Sequence, residues 1–439
     1  MNLAAKLEHL SSRLARIEPV RVYGRVTEVV GLLIESQGPR SAIGDVCHIF
    51  APGENKPYTA EVVGFRGDKV LSMALGDMRG ISPGSDIVAT GEQLKIDVGD
   101  SVLGRVLDGL GNPLDGLGPL TGTHKRSVYA APPQPMSRPP IRQAISTGIR
   151  AIDALTTFGL GQRVGIFAGS GVGKSTLLGM IARNTNADIN VIGLVGERGR
   201  EVREFIEKDL GPEGLKRSVV VVATSDQPAL IRVKAGLVAT TIAEYFRDKG
   251  LNVMLMMDSL TRVAMALREV GLTIGEPPTT KGYTPSVFAF MPQLLERAGT
   301  APRGSITGLY TVLVEGDDMN EPIADASRAI LDGHIVLSRR IAASGHYPAI
   351  DVLESISRVM NSVATPEHKQ AANLLLDTLA TYKEAEDLIN IGAYVKGSNP
   401  KVDYSIKKIG AIQKFLRQSI DEKAELNQTI NELLNLVKN

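Results

Sequence analysis

The sequence is poor in several residue types, and each scarcity removes a class of protein. It holds one cysteine, Cys47, so no intrachain disulfide can form, and its six histidines are scattered without metal-ligand spacing. Phe and Tyr account for only 4% of the chain, which argues against the aromatic platforms of a nucleic-acid translocase. No charge of one sign prevails: 49 Lys and Arg face 48 Asp and Glu, so the broad field of a nucleic-acid or membrane-surface binder is missing, although a local patch is not excluded. No run of eighteen apolar residues occurs, and the first eighteen positions carry charges every few residues, so neither a membrane span nor a signal peptide is expected. What these absences leave is a cytoplasmic protein, soluble or at most peripheral. At 439 residues the chain is about three times the usual domain length, which predicts two or three domains and room for an enzyme core.

What is present changes character along the chain. Leu3, Leu7, Leu10, Leu14 and Ile17 alternate at steps of four and three, which predicts a one-sided amphipathic helix over 1–18 that needs a partner. Strand-like pieces punctuated by Gly, Pro and Asp then predict a small antiparallel β-barrel over 19–92. Residues 93–145 hold loop-like DGLGNPLDGLGPL and the proline-rich APPQPMSRPP, read as a stiff linker leading into the next domain. From 146 to 362 the apolar runs RVGIF, NVIGLV, SVVVVAT, NVMLMMD and LYTVLVE alternate with helical stretches, the pattern of a parallel sheet buried on both faces. Leu- and Ala-rich segments over 363–439 read as helix. The fold class expected is multi-domain α/β: barrel, parallel-sheet core, helical C-terminal domain.

One stretch carries the chemistry. Residues 165–176, GIFAGSGVGKST, run from an apolar strand into glycines and end on a lysine and two hydroxyls. Ala168, Gly169, Ser170, Gly171, Val172 and Gly173 form a loop whose backbone N–H groups can converge on phosphates, with Lys174 for the β- and γ-phosphates and Ser175 and Thr176 opening a helix. Ser175 offers a hydroxyl to Mg²⁺. This is a P-loop, with Ala168 where the consensus has glycine. Asp258 closes NVMLMMD, where a magnesium-organising carboxylate belongs, and it also fits as the N-cap of a helix opened by DSLTR. Glu197, in GERGREV just past another buried strand, is either the carboxylate that polarises water or a solvated charge among Arg198, Arg200, Glu201 and Arg203. Arg358 in DVLESISRV is four residues after Glu354, as in a surface helix pair, and Tyr347 in GHYPAID either stacks on a base or packs on the core.

Taken together, AGSGVGKST, GERGREVREFIEKDLGPEG, MMDSLTR, IGEPPTTKGYTPSVFA, VEGDDMNEPIAD, RAILDGHIVLSRR and GHYPAIDVLESISRV resemble the ATPases of the bacterial type III export apparatus, a family similar to the rotary ATP synthase α and β subunits. SDQPALIRVKA, EYFRDKG, PPQPMSRPPI and GAYVKGSNP resemble its flagellar branch. The resemblance implies a RecA-like core that binds ATP and Mg²⁺, with Glu197 as catalytic carboxylate, Arg198 as a relay to the γ-phosphate and Arg358 as an arginine finger from a neighbouring subunit. It places Tyr347 and Tyr394 beside the adenine, and Ser175 and Asp258 on the metal. It further implies a homo-hexamer at the inner face of the cytoplasmic membrane, working with export-gate membrane proteins, a stalk-like regulatory partner and chaperone–substrate complexes, and no nucleic acid. Two departures separate the chain from a rotary catalytic subunit. YKEAEDLINIG is followed by AYVKGSNP with no acidic run, and Ser175 stands where the rotary family has threonine. The alternatives are an injectisome ATPase of the same family, a rotary synthase-type subunit, and a hexameric RNA translocase.

Overall fold

A computed structural model describes residues 22–54, 56–314, 316 and 318–438. The amphipathic stripe expected over 1–18 lies outside the described residues. The chain divides into two compact units, Met1–Leu94 with Thr273–Gly275, and Lys95–Leu272 with Glu276–Asn439.

In the first unit six antiparallel strands close into a barrel. They are β1 (Gly24–Val30), β2 (Leu33–Gln37), β3 (Asp45–Phe50), β4 (Tyr58–Arg66), β5 (Lys69–Ala74) and β6 (Asp86–Gln93), arranged in the order β1-β2-β5-β4-β3-β6. Side chains alternate across each strand, and Val26, Ile34, Cys47, Ile49, Ala60, Val62 and Ile87 fill the interior. Cys47 serves as a small hydrophobe there, and burial, aided by the charge of Asp45, pushes its thiol up to about 12.

The second unit is built on a nine-stranded sheet. Its strands are β7 (Val106–Asp108), β8 (Arg163–Ala168), β9 (Ile189–Val195), β10 (Ser218–Ala223), β11 (Asn252–Asp258), β12 (Ser305–Leu313), β13 (Gly333–Leu337) and β14 (Ile350–Ser357), in the order β14-β13-β8-β12-β11-β9-β10-β7, with Gly299–Thr300 pairing antiparallel on β12. From β13 to β7 every pair along this order is parallel, and only β14 runs antiparallel, on β13. The five apolar runs are β8 to β12, covered on both faces by helices and therefore apolar on both. Among these helices are α1 (Lys174–Asn184), α2 (Ala229–Asp248) and α3 (Leu260–Ile274). The C-terminal region is helical, with α4 (Pro366–Asn390), α5 (Pro400–Leu416) and α6 (Leu426–Lys438). Thr365 caps α4 by accepting from the His368 N–H, and Asn399 caps α5 by accepting from Lys401. The proline-rich connector is fixed in place by Arg138, whose guanidinium donates to the carbonyls of Ala298 and Glu296.

One local reading is corrected. DVLESIS is strand β14, so Glu354 and Arg358 are not partners on a helix face. Its outer half alternates between exposed and half-buried positions because it is the edge strand, which leaves Ile356 49% exposed.

Candidate functional site

The parallel strands deliver their C-terminal ends to one sheet edge, and the chemistry collects there. Strand β8 ends at Ala168, and the chain turns through residues 169–173 into α1. The turn needs glycine at two points, since Gly171 has φ 78° and Gly173, at the helix N-cap, has φ 86°. The first amides of α1 then point into the loop with the positive end of the helix dipole behind them.

Lys174, the first residue of α1, donates to Asp258 Oδ1 at 2.5 Å and lies 3.4 Å from Glu197 Oε1. Asp258 ends β11, and Glu197 follows β9 by two residues, so three segments distant in sequence meet at the lysine. Both carboxylates are buried, Asp258 at 2% and Glu197 at 8% exposure. Thr311 on β12, the strand between β8 and β11, donates its hydroxyl to Asp258 Oδ1 at 2.7 Å. Burial works against the Lys174 charge, but Asp258 and Glu197 outweigh it and hold the ammonium above its ordinary pKa. Burial pushes Glu197 up. The Lys174 charge opposes this, the Asp258 charge adds to it, and Arg262 opposes it in turn.

Arg262 is a site residue that the motif reading passed over. It donates to the Gly196 carbonyl at 2.6 Å and brings Nε to 3.6 Å from Glu197 Oε1. The signal was its spacing, four residues after Asp258, which places it in the first turn of α3. The loop after α5 was also missed. Gln418, Ser419, Ile420 and Asp421 face Gly171, Gly173, Thr176 and Tyr347 across a cavity of about 610 Å³. Nothing in those four residues taken alone marks them as part of a binding site.

Tyr347 is 47% exposed and lines this cavity, with its ring against Gly173, so it is not a core side chain. Ser175 is exposed at the start of α1, and Thr176 lines the cavity. Arg198 points to solvent, 76% exposed and 3.1 Å from Glu201. Tyr394 is not brought to this cavity. Its hydroxyl donates to the Asn399 carbonyl and to Asp403, which holds it at the α4–α5 turn, at the opposite end of α5 from the Gln418–Asp421 loop. Arg358 is also elsewhere. It follows Ser357, which pairs with Gly333 at the N-terminal end of β13, so it stands at the sheet edge opposite its own P-loop.

Across 435 residues, 99% of both chains, the sequence is 58% identical to the flagellum-specific ATP synthase of Bacillus subtilis. The chain belongs to the type III export ATPase family. Residues 148–357 match the nucleotide-binding domain of the ATP synthase alpha/beta family, 26–91 match that family's beta-barrel domain, and 364–435 match the T3SS EscN ATPase C-terminal domain. The type 3 secretion system ATPase of Xanthomonas euvesicatoria is 51% identical over 98% of this chain and 97% of its own length. The assembled ATPase EscN of enteropathogenic E. coli superposes with a TM-score of 0.90 at 48% identity, over 94% of this chain and all of that one, and EscN has also been solved with its central stalk EscO. The barrel, parallel-sheet core and helical C-terminal region are thus the architecture of this ATPase family, and this protein is an ATPase.

Proposed function

We propose that this type III export ATPase hydrolyses ATP to power flagellar protein export, separating export substrates from their chaperones. The observation that carries the reading is the convergence of Lys174, Glu197 and Asp258 at the P-loop edge of a chain built throughout like its flagellar relatives.

The residues fit Mg²⁺ and ATP. The Ser175 hydroxyl and the Asp258 carboxylate are hard oxygen donors suited to Mg²⁺, and the glycine turn offers amides to phosphates. Bound there, Mg²⁺ supplies positive charge against the phosphate oxygens. Lys174 exchanges its two carboxylates for phosphate oxygens, which frees Asp258 for the metal and Glu197 for water. Glu197 orients that water and accepts its proton, and a pKa raised by burial suits a base. Arg262 holds the Glu197 side chain and the Gly196 backbone in register. The position of Arg358 at the far sheet edge supports a role for the neighbouring subunit, where it compensates charge on the transferred phosphoryl. Arg198, exposed beside Glu197, is the relay to the γ-phosphate in this reading. Tyr347 flanks the adenine, and Tyr394 is not needed for it in the same subunit.

In this reading the protein assembles as a homo-hexameric ring with a stalk-like partner, and the assembled ATPase EscN and its complex with the central stalk EscO support assembly and a stalk. Export-gate membrane proteins and chaperone–substrate complexes are the partners this function requires. No helix among the described residues is long and apolar enough to cross a membrane, and contact with the cytoplasmic face of the membrane is through those partners.

Glu197→Gln tests the site. It keeps shape and hydrogen bonding while removing the base, so ATP binding should persist and turnover fall about 10²- to 10⁴-fold. Turnover within a few-fold of the parent protein rules Glu197 out. Gene deletion tests the role: loss of flagella is expected, and loss of injectisome secretion or of respiratory growth redirects the assignment.

A further inference from the structure

The nucleotide cavity has walls from two regions far apart in sequence, and one side chain ties them together. Arg183 lies in the last turn of α1, the helix that begins with the P-loop lysine. One guanidinium nitrogen donates to the Asp209 carbonyl, and the other donates to the Ile420 carbonyl at 2.9 Å. Asp209 belongs to the π-helical turn Phe205–Leu210, which continues the short helix Gly199–Glu204 starting just after Glu197 and Arg198. That turn presses on α1. A β-carbon at Gly179 would come within 2.6 Å of the Asp209 carbonyl oxygen. Ile420 lines the cavity, in the loop between α5 and α6. Three segments therefore meet at one guanidinium: the P-loop helix, the segment leading from the catalytic glutamate, and the loop of the C-terminal helical region.

The rest of that loop is held differently. Gln418 donates its backbone N–H to Tyr347 and its side-chain amide to Gly148 and Glu422, while its side-chain oxygen accepts from the Arg150 N–H. These bonds fix the loop where it leaves α5. Ile420, two residues further on, is 53% exposed.

We infer that Arg183 is a positioning residue for nucleotide binding, holding the Gln418–Asp421 wall against the P-loop so that occupancy of the cavity is felt by the C-terminal helical region. The inference rests on the assignment of this cavity to ATP. Arg183 touches no reacting atom, so its loss should weaken binding and leave the chemical step intact.

The experiment uses the full-length protein, with Arg183→Met as the main variant and Arg183→Lys as the conservative one. Arg183→Met should raise KM for ATP and the Kd of a fluorescent ADP analogue about tenfold, the equivalent of one charge-assisted hydrogen bond, with kcat within about twofold. Arg183→Lys should lie between it and the parent protein. Hydrogen exchange gives an independent readout: ADP should protect amides 417–421 in the parent protein, and in Arg183→Met the protection should stop at the P-loop. Unchanged KM and Kd together with protection retained at 417–421 overturn the inference, as does a fall in kcat at unchanged KM. Lys174→Ala is the control for the underlying assignment. If it binds and hydrolyses ATP normally, the cavity is not the ATP site. If it fails while the Arg183 variants behave like the parent protein, only the coupling role is lost.

Discussion

Replacing Arg358 by alanine separates two energies that the structure keeps apart. Within its own chain the side chain is exposed and makes one hydrogen bond, to the Arg328 carbonyl at 3.2 Å, so its removal should cost stability about 0.5 kcal/mol or less. It cannot reach its own P-loop. The strand that separates them, Gly333–Leu337, covers about 13 Å at about 3.3 Å per residue before the loop itself begins, more than an arginine side chain spans. If Arg358 serves the neighbouring site, turnover should fall about 10³-fold or more, equivalent to about 4 kcal/mol of transition-state stabilisation. The assay is steady-state ATP hydrolysis beside a thermal melt. A second measurement mixes Arg358→Ala with Lys174→Ala. Each variant is inactive alone, but an Arg358→Ala subunit with a sound P-loop, next to a Lys174→Ala subunit that still carries Arg358, forms a complete site, and part of the activity should return. Co-assembly shown by light scattering with activity still at zero refutes the shared site. So does an Arg358→Ala protein that hydrolyses ATP at the parent rate.

Two further outcomes follow from buried charge. Arg297 forms a two-pronged pair with Glu244, Nε to Oε1 at 2.9 Å and Nη2 to Oε2 at 2.7 Å, and both side chains are at most 3% exposed. Among the described residues Arg297→Ala leaves Glu244 with Arg126 at 3.7 Å as its remaining cation, so chemical denaturation should show a loss of about 3 kcal/mol, and a loss below about 1 kcal/mol contradicts the pairing. Because burial raises the Glu197 pKa, the carboxylate stays protonated to a higher pH than an ordinary glutamate, and the base is lost sooner on acidification. The acid limb of the kcat/KM profile should therefore lie above the ordinary glutamate range, and a limb at or below about pH 4.3 removes Glu197 as the titrating base.

Much of the fold could be read before any coordinates because its strongest signals are local. Strands β8 to β12 are buried on both faces, so their sequences are unbroken apolar runs, and the Gly171–Gly173 turn is written in a motif of fixed spacing. Strand β14 was hidden because an edge strand mixes apolar and polar residues, and Glu354 and Arg358 happen to share helical spacing. The carboxylate–lysine cluster was legible as separate candidates, each at the end of an apolar run, and its burial and distances were not. The Gln418–Asp421 wall and Arg183 were invisible for a simpler reason. The role of Arg183 exists only through the backbone carbonyls of positions 209 and 420 that the fold brings to its guanidinium, and a carbonyl leaves no trace in a sequence.

The antiparallel return of β14 gives the molecule a polarity. One edge of the sheet carries the P-loop, and the other ends in Arg358. If Arg358 serves the neighbouring site, copies joined through these two edges associate head to tail and each contact completes one site. An open arc of n copies then has n − 1 complete sites, while a closed ring of the same n has n. Turnover per subunit should climb with arc length and step up at closure, with no new contact type and no change in any subunit's own shape. Every unfinished arc also ends in a P-loop that can hold nucleotide and not cleave it, so nucleotide retained without turnover counts the rings still open.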